Sequence, residues 1–486
     1  MSNTVLQYTG VNLSGLEFGG TGGKLYYNYI IPGAEYYEHW AQDVGSNIVR
    51  IPFKWERLQP ESGGELNADY LNLLLKSVEY AKANGMTAIL DMHNYGSYFG
   101  QKIGSGNVDA KDLANAWIKL AQAIGNTPDV WLNLMNEPHG FNANQWAGYM
   151  QDVVYELRDA GIENKVMLSG TAWSGAHSWV KSGNAAAFEH FIDPLGNAVF
   201  DVHQYLDTWS TGTTGIAAEG VGSTALVAIT QWAETHNMQL FLGEVGAADP
   251  TVQGQEFALS ELQDLFAYME AHNTAWLGWT LWGAGPWWPQ DYHFNINPTA
   301  IRSDNPVHDS VISAILPEFE HSNNTTYSAE AAFDYDIIMG SEAKDRINGT
   351  ADADKILAGS GNDVLYGHQG DDKLYGQSGH DFLDGRDGND VLFGGSGNDH
   401  FMFSAHHDHI YDSSGTRDAL YLRGSTAFEN LSFAADGNDL IVTDHKLGST
   451  VTIHDHFGAG TIERLREADG TIYDMRDGFL SDSDMF

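Results

Sequence analysis

The 486-residue chain contains no cysteine. Disulfides and thiolate metal sites are therefore excluded. A secreted protein of this size without disulfides needs a large core or another staple. Basic residues are also scarce: 24 Lys and Arg stand against 65 Asp and Glu, a formal net charge of −41. Nucleic acids and anionic membranes are bound by basic patches, so no nucleic-acid partner is expected. No run reaches the roughly 18 apolar residues of a membrane span, so no membrane insertion is expected. Met1 to Gly10 has no basic stretch followed by an apolar one, so no N-terminal export signal is expected. Hydrophobic residues make up 42% and aromatics 12%, the composition of a folded protein.

From residue 1 to 318, short apolar runs alternate with amphipathic segments. Asn67 or Asp69 can cap a helix whose Leu71, Leu74, Leu75 and Val78 share a face. Asn84-Gly85 stops it, and the run from Met86 to His93 reads as a strand. The unit recurs: Met150, Val153, Val154 and Leu157 precede a strand near 164–169. Eight strands are expected, at about 10–16, 47–53, 86–93, 130–137, 164–169, 198–203, 240–244 and 275–282. Eight such strands alternating with helices predict a (β/α)8 barrel, of fold class α/β. A doubly wound open sheet fits less well, because no Gly-rich phosphate loop follows the first strand.

Glu137 and Glu244 each end an expected strand, in Asn136-Glu137-Pro138 and Gly243-Glu244. Barrel strands deliver such side chains to the C-terminal rim, the usual catalytic face. Paired carboxyls suit glycoside hydrolysis, where one must be protonated and the other ionised. Any single Glu at a strand end is more often a surface ion pair, so the whole constellation decides.

Residues 8–300 resemble glycoside hydrolase family 5, and more closely its fungal-type endoglucanase branch. The resemblance is carried by Gly10-Val-Asn-Leu, Arg50 in Asn47-Ile-Val-Arg-Ile-Pro-Phe53, and His93 and Asn94 in Asp91-Met-His-Asn-Tyr95. It continues through Asn136-Glu137-Pro138, His203 and Tyr205 in Asp201-Val-His-Gln-Tyr205, Gly243-Glu244, and Trp282. Fungal members usually carry cysteines, and this chain departs from them there. The resemblance implies that Glu137 is the general acid/base and Glu244 the nucleophile of a retaining endo-β-1,4-glucanase. It implies that Arg50 and Tyr205 hold Glu244, and that His203 orients Glu137. Asn136, His93 and Asn94 would serve the sugar subsite, and Trp282 would stack on a sugar ring. Trp287, on the loop beyond the eighth strand, is a further substrate candidate. Trp40, Trp173, Trp179 and Trp209 are either platforms or core. The implied partner is a β-glucan or cello-oligosaccharide. Other β-glycans, or a non-catalytic glycan-binding protein, are the alternatives.

Residues 319–333 read as a linker. Residues 334–403 then repeat every nine residues, with Asp336, Asp345, Asp354, Asp363, Asp372, Asp381, Asp390 and Asp399 in register. Two residues after each Asp stands Ile338, Ile347, Ile356, Leu365, Leu374, Leu383, Leu392 or Phe401. Gly340, Gly349, Gly367, Gly376, Gly385 and Gly394 open the same frame. Glycine permits tight turns, the apolar residue points inward, and Asp supplies hard oxygen ligands. The pattern resembles the calcium-binding RTX β-helix. Ca2+ is therefore the expected cofactor, held by Asp354, Asp363, Asp372, Asp381, Asp390 and Asp399. The first two copies lack the glycine of Gly-x-Asp and are not expected to bind.

Residues 404–486 are expected to form a non-repetitive β-rich region, with paired strands at Asp439-Leu-Ile-Val-Thr and Ser449-Thr-Val-Thr-Ile. The acidic end, Ser481-Asp-Ser-Asp-Met-Phe486, resembles a type I secretion signal. The sequence thus predicts a secreted, extracellular monomer that meets the type I machinery transiently.

Overall fold

Strands buried on both faces build the first half of this computed structural model. The structure describes residues 6–297 and 336–476, apart from 250–251, 253–254, 256, 290, 405, 413, 423–426, 459 and 468–469, together with 311–312, 314–315 and 319. The chain divides into two compact units, Met1–Ala332 and Phe333–Phe486.

In the first unit the strands are β1 (Tyr8–Leu13), β2 (Ile48–Phe53), β3 (Thr87–Met92), β4 (Val130–Asn133), β5 (Val166–Ser169), β6 (Ala198–His203), β7 (Leu240–Val245) and β8 (Trp276–Ala284). Each pairs in parallel with the next, and β8 pairs with β1, closing the barrel. Continuous apolar strands of this kind are stable only when covered on both sides. Helices supply the outer cover, and the cap expected at Asn67 is present. Asn67 accepts from Tyr70 N–H at 3.0 Å to start Ala68–Ala83. Asp109 and Asp112 form a capping box on Ala110–Ile124. Met150, Val153, Val154 and Leu157 bury one face of Ala143–Asp159.

The barrel interior is layered. Its floor is Ile48, Ile89, Trp131, Met167, Val199, Phe241 and Leu277, with Tyr8 packed against them. Above the floor lie Arg50, Asp91, Asn133, Ser169 and Asp201, all buried. The fourth strand is shorter than expected, ending at Asn133 rather than at Glu137. Glu137 adopts φ +42°, which no strand ladder accommodates.

In the second unit a nine-residue step alternates between two sheets, so strands in one sheet recur every second step. Val364 pairs with Phe382, and Phe382 with His400, all parallel. Lys355 pairs with Lys373, and Lys373 with Val391, in the other sheet. The apolar partners Ile356, Leu365, Leu374, Leu383, Leu392 and Phe401 face inward and are fully buried. The β-rich region expected after residue 403 continues the two sheets of the repeats. Strand His407–Tyr411 pairs with Val391–Phe393, and Ala419–Leu422 with His400–Phe403. Ile410, Leu420, Ile453 and Leu465 extend the same core. The expected strands Asp439–Asp444 and Ser449–Ile453 are present and antiparallel. Most of the linker and the secretion-signal segment lie outside the described residues.

Candidate functional site

Strand alternation sends residues two apart to the same face. Asp91 and His93 therefore both point inward from β3 and its end, as do Asp201 and His203 on β6. Arg50, from β2, reaches across the barrel. Its Nη1 donates to Glu244 Oε1 at 2.8 Å and to Asn12 Oδ1 at 2.8 Å. Its Nη2 donates to Asn136 Oδ1 at 2.6 Å and lies 3.1 Å from Asp91 Oδ2. Burial lowers an arginine's pKa, but Asp91, Glu244 and Asp201 outweigh burial and hold Arg50 charged. Asn12 is fixed in turn by donating to Gly243 O at 2.9 Å.

Tyr205 O–H donates to the other Glu244 oxygen at 2.8 Å. Both oxygens of this carboxylate are thus held. Glu137 Oε1 accepts from His203 Nδ1 at 2.8 Å. Burial lowers the His203 pKa, yet Glu244 and Asp201 reverse this and raise it to about 10. His203 is therefore an imidazolium at neutral pH, with Nδ1 3.6 Å from Glu244 Oε2 and Nε2 3.4 Å from Asp201 Oδ2. His93 is the opposite case: burial pushes it down to about 3. A neutral His93 donates from Nδ1 to Asp91 Oδ2 at 2.7 Å, leaving Nε2 to accept from Tyr95 O–H at 3.1 Å. A carboxylate oxygen of Glu137, one of Glu244 and a ring nitrogen of His203 all lie within 4.8 Å of one another.

Beside Glu137 opens a pocket of about 540 Å³, lined by Trp173, His177, Tyr205, Trp209 and Thr211 among others. Trp173 and Trp209 are 56% and 80% exposed. Ala172, Trp173 and Ser174 hold φ of +59°, +56° and +55°. Left-handed conformation costs a non-glycine residue about 1–2 kcal/mol. Here it turns the Trp173 ring onto His139, stacked at 4.8 Å. Trp40 and Trp179 are fully buried and belong to the core. Trp282 sends Nε1 to Tyr292 Oη at 3.0 Å. Trp287 is half-buried and stacks on Phe18 at 5.8 Å.

Asn94 is a correction. Its Oδ1 accepts from Trp55 N–H at 2.8 Å, and its Nδ2 donates to Glu56 Oε2 at 2.7 Å and Ser97 O at 3.1 Å. Both amide hydrogens are used inside the protein, so Asn94 braces a loop and has none for a sugar. Asn12, Asp91, Asp201 and Tyr95 were not singled out as site residues. The two acids are foreshadowed by standing two residues before His93 and His203.

In the second unit the repeat aspartates form a ladder. Oδ1 of Asp363, Asp372, Asp381, Asp390 and Asp399 accepts from the backbone N–H of the Asp eighteen residues earlier, at 2.8–2.9 Å. Oδ2 of the same five is buried with no hydrogen-bond partner. A side chain at Gly367, Gly376 or Gly385 would strike the Oδ2 of Asp372, Asp381 or Asp390 at 2.1, 2.6 and 2.0 Å. Rows of buried orphan carboxylate oxygens fit a hard divalent cation. Asp354 differs from the expectation: its Oδ2 accepts from Thr350 N–H at 2.6 Å.

A closed parallel barrel with two facing carboxyls at its C-terminal rim defines a glycoside hydrolase. The family profile described as cellulase, glycosyl hydrolase family 5, matches residues 4–285, and the chain belongs to that family. The RTX calcium-binding nonapeptide repeat matches residues 339–374 and 366–401. The chain is 32% identical over 304 residues to endo-beta-1,4-glucanase A of Emericella nidulans, covering 62% of this chain and 89% of that protein. It is 29% identical over 331 residues to endoglucanase EG-II of Hypocrea jecorina, covering 64% and 77%. XacCel5A, solved in complex with cellopentaose, is 39% identical with a TM-score of 0.59, covering 64% of this chain and 99% of that one. An endo-beta-1,4-glucanase from Xanthomonas axonopodis pv. citri is 36% identical with a TM-score of 0.61, covering 66% and 100%.

Proposed function

We propose that this chain is a secreted, retaining endo-β-1,4-glucanase that cleaves internal bonds of a β-glucan by double displacement. The carrying observation is the closeness of Glu137 and Glu244, with oxygens within 4.8 Å. Retaining enzymes hold their carboxyls about 5–5.5 Å apart, whereas inverting ones leave room for a water at about 6.5–9.5 Å. Glu137 gives its proton to the glycosidic oxygen. Glu244, hydrogen-bonded by Arg50 and Tyr205, attacks the anomeric carbon, displaces the protonated leaving sugar and forms the glycosyl-enzyme. Glu137 then takes a proton from a water whose oxygen attacks the anomeric carbon, which breaks the bond to Glu244 and releases the sugar. His203, cationic and bonded to Glu137, balances the charge that appears when Glu137 gives up its proton. Asn136 and His93 face the sugar beside Glu244, Trp282 stacks on its ring, and Trp173 and Trp209 flank the leaving side. The cellopentaose complex of XacCel5A supports a cello-oligosaccharide as the substrate class.

The second unit binds Ca2+ through Asp363, Asp372, Asp381, Asp390 and Asp399, and it directs type I export. Calcium is scarce inside cells, so the carboxylate rows repel there and fold only after export, by the coupling of metal binding to folding.

The test is product stereochemistry on carboxymethylcellulose and cellopentaose, beside Glu137→Ala and Glu244→Gly. Initial β-product and loss of activity in both variants are expected, and, on an aryl β-cellobioside whose phenolate leaves without protonation, azide rescue giving β-azide from Glu137→Ala and α-azide from Glu244→Gly. Initial α-product, or the two azides exchanged, contradicts the assignment.

A further inference from the structure

The carboxylate ladder runs on past the sequence repeat. We infer that Asp399, Asp412 and Asp418 form a further Ca2+ site at the end of the repeats, two of its three acids lying outside the nonapeptide frame. This rests on reading the repeats themselves as calcium sites.

One ligand oxygen from each of the three acids lies within 4.8 Å of the other two. Asp399 and Asp418 are both 0% exposed. Asp418 Oδ1 accepts from Asp399 N–H at 2.7 Å, as Asp399 Oδ1 accepts from Asp381 N–H at 2.8 Å. Asp418 is thus the next rung after Asp399. It escapes the repeat because one extra residue intervenes: Phe382 pairs with His400, but His400 pairs with Ala419. Oδ2 of Asp399 and Oδ2 of Asp418 are buried with no hydrogen-bond partner. Two buried carboxylate oxygens without donors are strongly unfavourable unless a cation stands between them.

The neighbouring backbone leaves room for these carboxylates. A side chain on Gly394 would meet Asp412 Oδ1 at 2.3 Å and Asp399 Oδ2 at 2.8 Å. One on Gly415 would meet the Asp418 oxygens at 2.1 and 2.4 Å and Gly397 O at 2.5 Å. All three acids offer hard oxygen donors, with no nitrogen or sulfur among them, which suits Ca2+ rather than Zn2+. Above this rung the aspartates give way to a longer acid: Asp418 N–H donates to Glu463 Oε2 at 2.8 Å. The site therefore closes the aspartate ladder where the regular repeat has ended.

The test uses full-length protein, stripped with chelator and returned to chelator-free buffer. Bound Ca2+ is counted by equilibrium dialysis in wild type, Asp412→Asn, Asp418→Asn and the exposed control Asp436→Asn. Asn at 418 keeps the Oδ1 acceptor and removes the charge, so the rung is preserved. Each site variant is expected to bind one ion fewer than wild type and the control. Each should melt below wild type in Ca2+, yet at or above it in chelator, where a repelling charge has gone. An unchanged ion count with an unchanged calcium-induced melting shift overturns this site alone. A wild type that binds no Ca2+ overturns the calcium reading of the repeats as well. Stabilisation by Zn2+ and not by Ca2+ overturns the cation.

Discussion

Arg50 Nη1 lies 2.8 Å from Glu244 Oε1, and the same guanidinium faces Asp91 at 3.1 Å and Asp201 at 4.0 Å. One fork therefore balances three acids and fixes the attacking carboxylate. Lysine has a single point charge and cannot span these partners. Arg50→Lys is expected to lower kcat by about 100-fold or more, as when one preorganised electrostatic partner is removed. Breaking the buried pairs should also cost about 3–5 kcal/mol of stability. Steady-state kinetics and calorimetry of the full-length variant check both. A kcat within about threefold of wild type would remove Arg50 from the mechanism.

Asn94 should behave differently from the residues around the carboxyls. Asn94→Ala leaves Trp55 N–H and Glu56 Oε2 without the partner that Asn94 supplies. Each orphaned buried group costs about 1–3 kcal/mol. A lower melting temperature with an unchanged KM for cellopentaose is expected. A large rise in KM with normal stability would restore Asn94 to the sugar site.

All eight barrel strands were legible because each is a short apolar run buried on both faces, set between amphipathic segments. Glu244 was legible because it stands near the end of such a run, and Glu137 because it stands just beyond one. The interior network was less so. Asn12 matters through Arg50 and Tyr95 through His93, and those meetings depend on barrel closure, not on spacing. Asn94 was misread because a polar residue beside His93 looks the same in sequence whether it faces sugar or braces a loop. In the second unit the nine-residue frame made the rungs plain up to Asp399. Asp408 keeps the frame, and its Oδ1 accepts from Asp390 N–H at 3.1 Å. The glycine of Gly-x-Asp is there replaced by His406, at φ +74°. At Asp418 the extra residue breaks the period while the hydrogen-bond ladder continues.

His203 gives the barrel a pH signature. Its pKa is raised to about 10 against an unfolded value near 6.5. The folded state therefore holds a proton that the unfolded state releases. The stability this confers is fully present below about pH 6.5 and is lost as pH rises through about 10. Thermal melts between pH 6 and 10.5 should show it, and His203→Gln should flatten that slope. An equal slope in wild type and variant would assign the alkaline loss elsewhere.

The aspartate ladder carries the same linkage with calcium as a competitor. Burial raises Asp372, Asp381 and Asp408 to about 7, and Asp390 and Asp418 to about 6. Unfolded, these carboxyls titrate near 3.9. The metal-free folded unit therefore prefers them protonated. Its stability is fully present below about pH 4 and is lost as pH rises through 6–7. Calcium binds the same oxygens in their ionised form, so its stabilising effect grows over that same window. Melting curves of the full-length protein with calcium and with chelator should nearly coincide at pH 4.5 and separate widely at pH 8. A metal-free melting temperature for the second unit that stays flat or rises between those values would mean the buried carboxylates are satisfied without an ion.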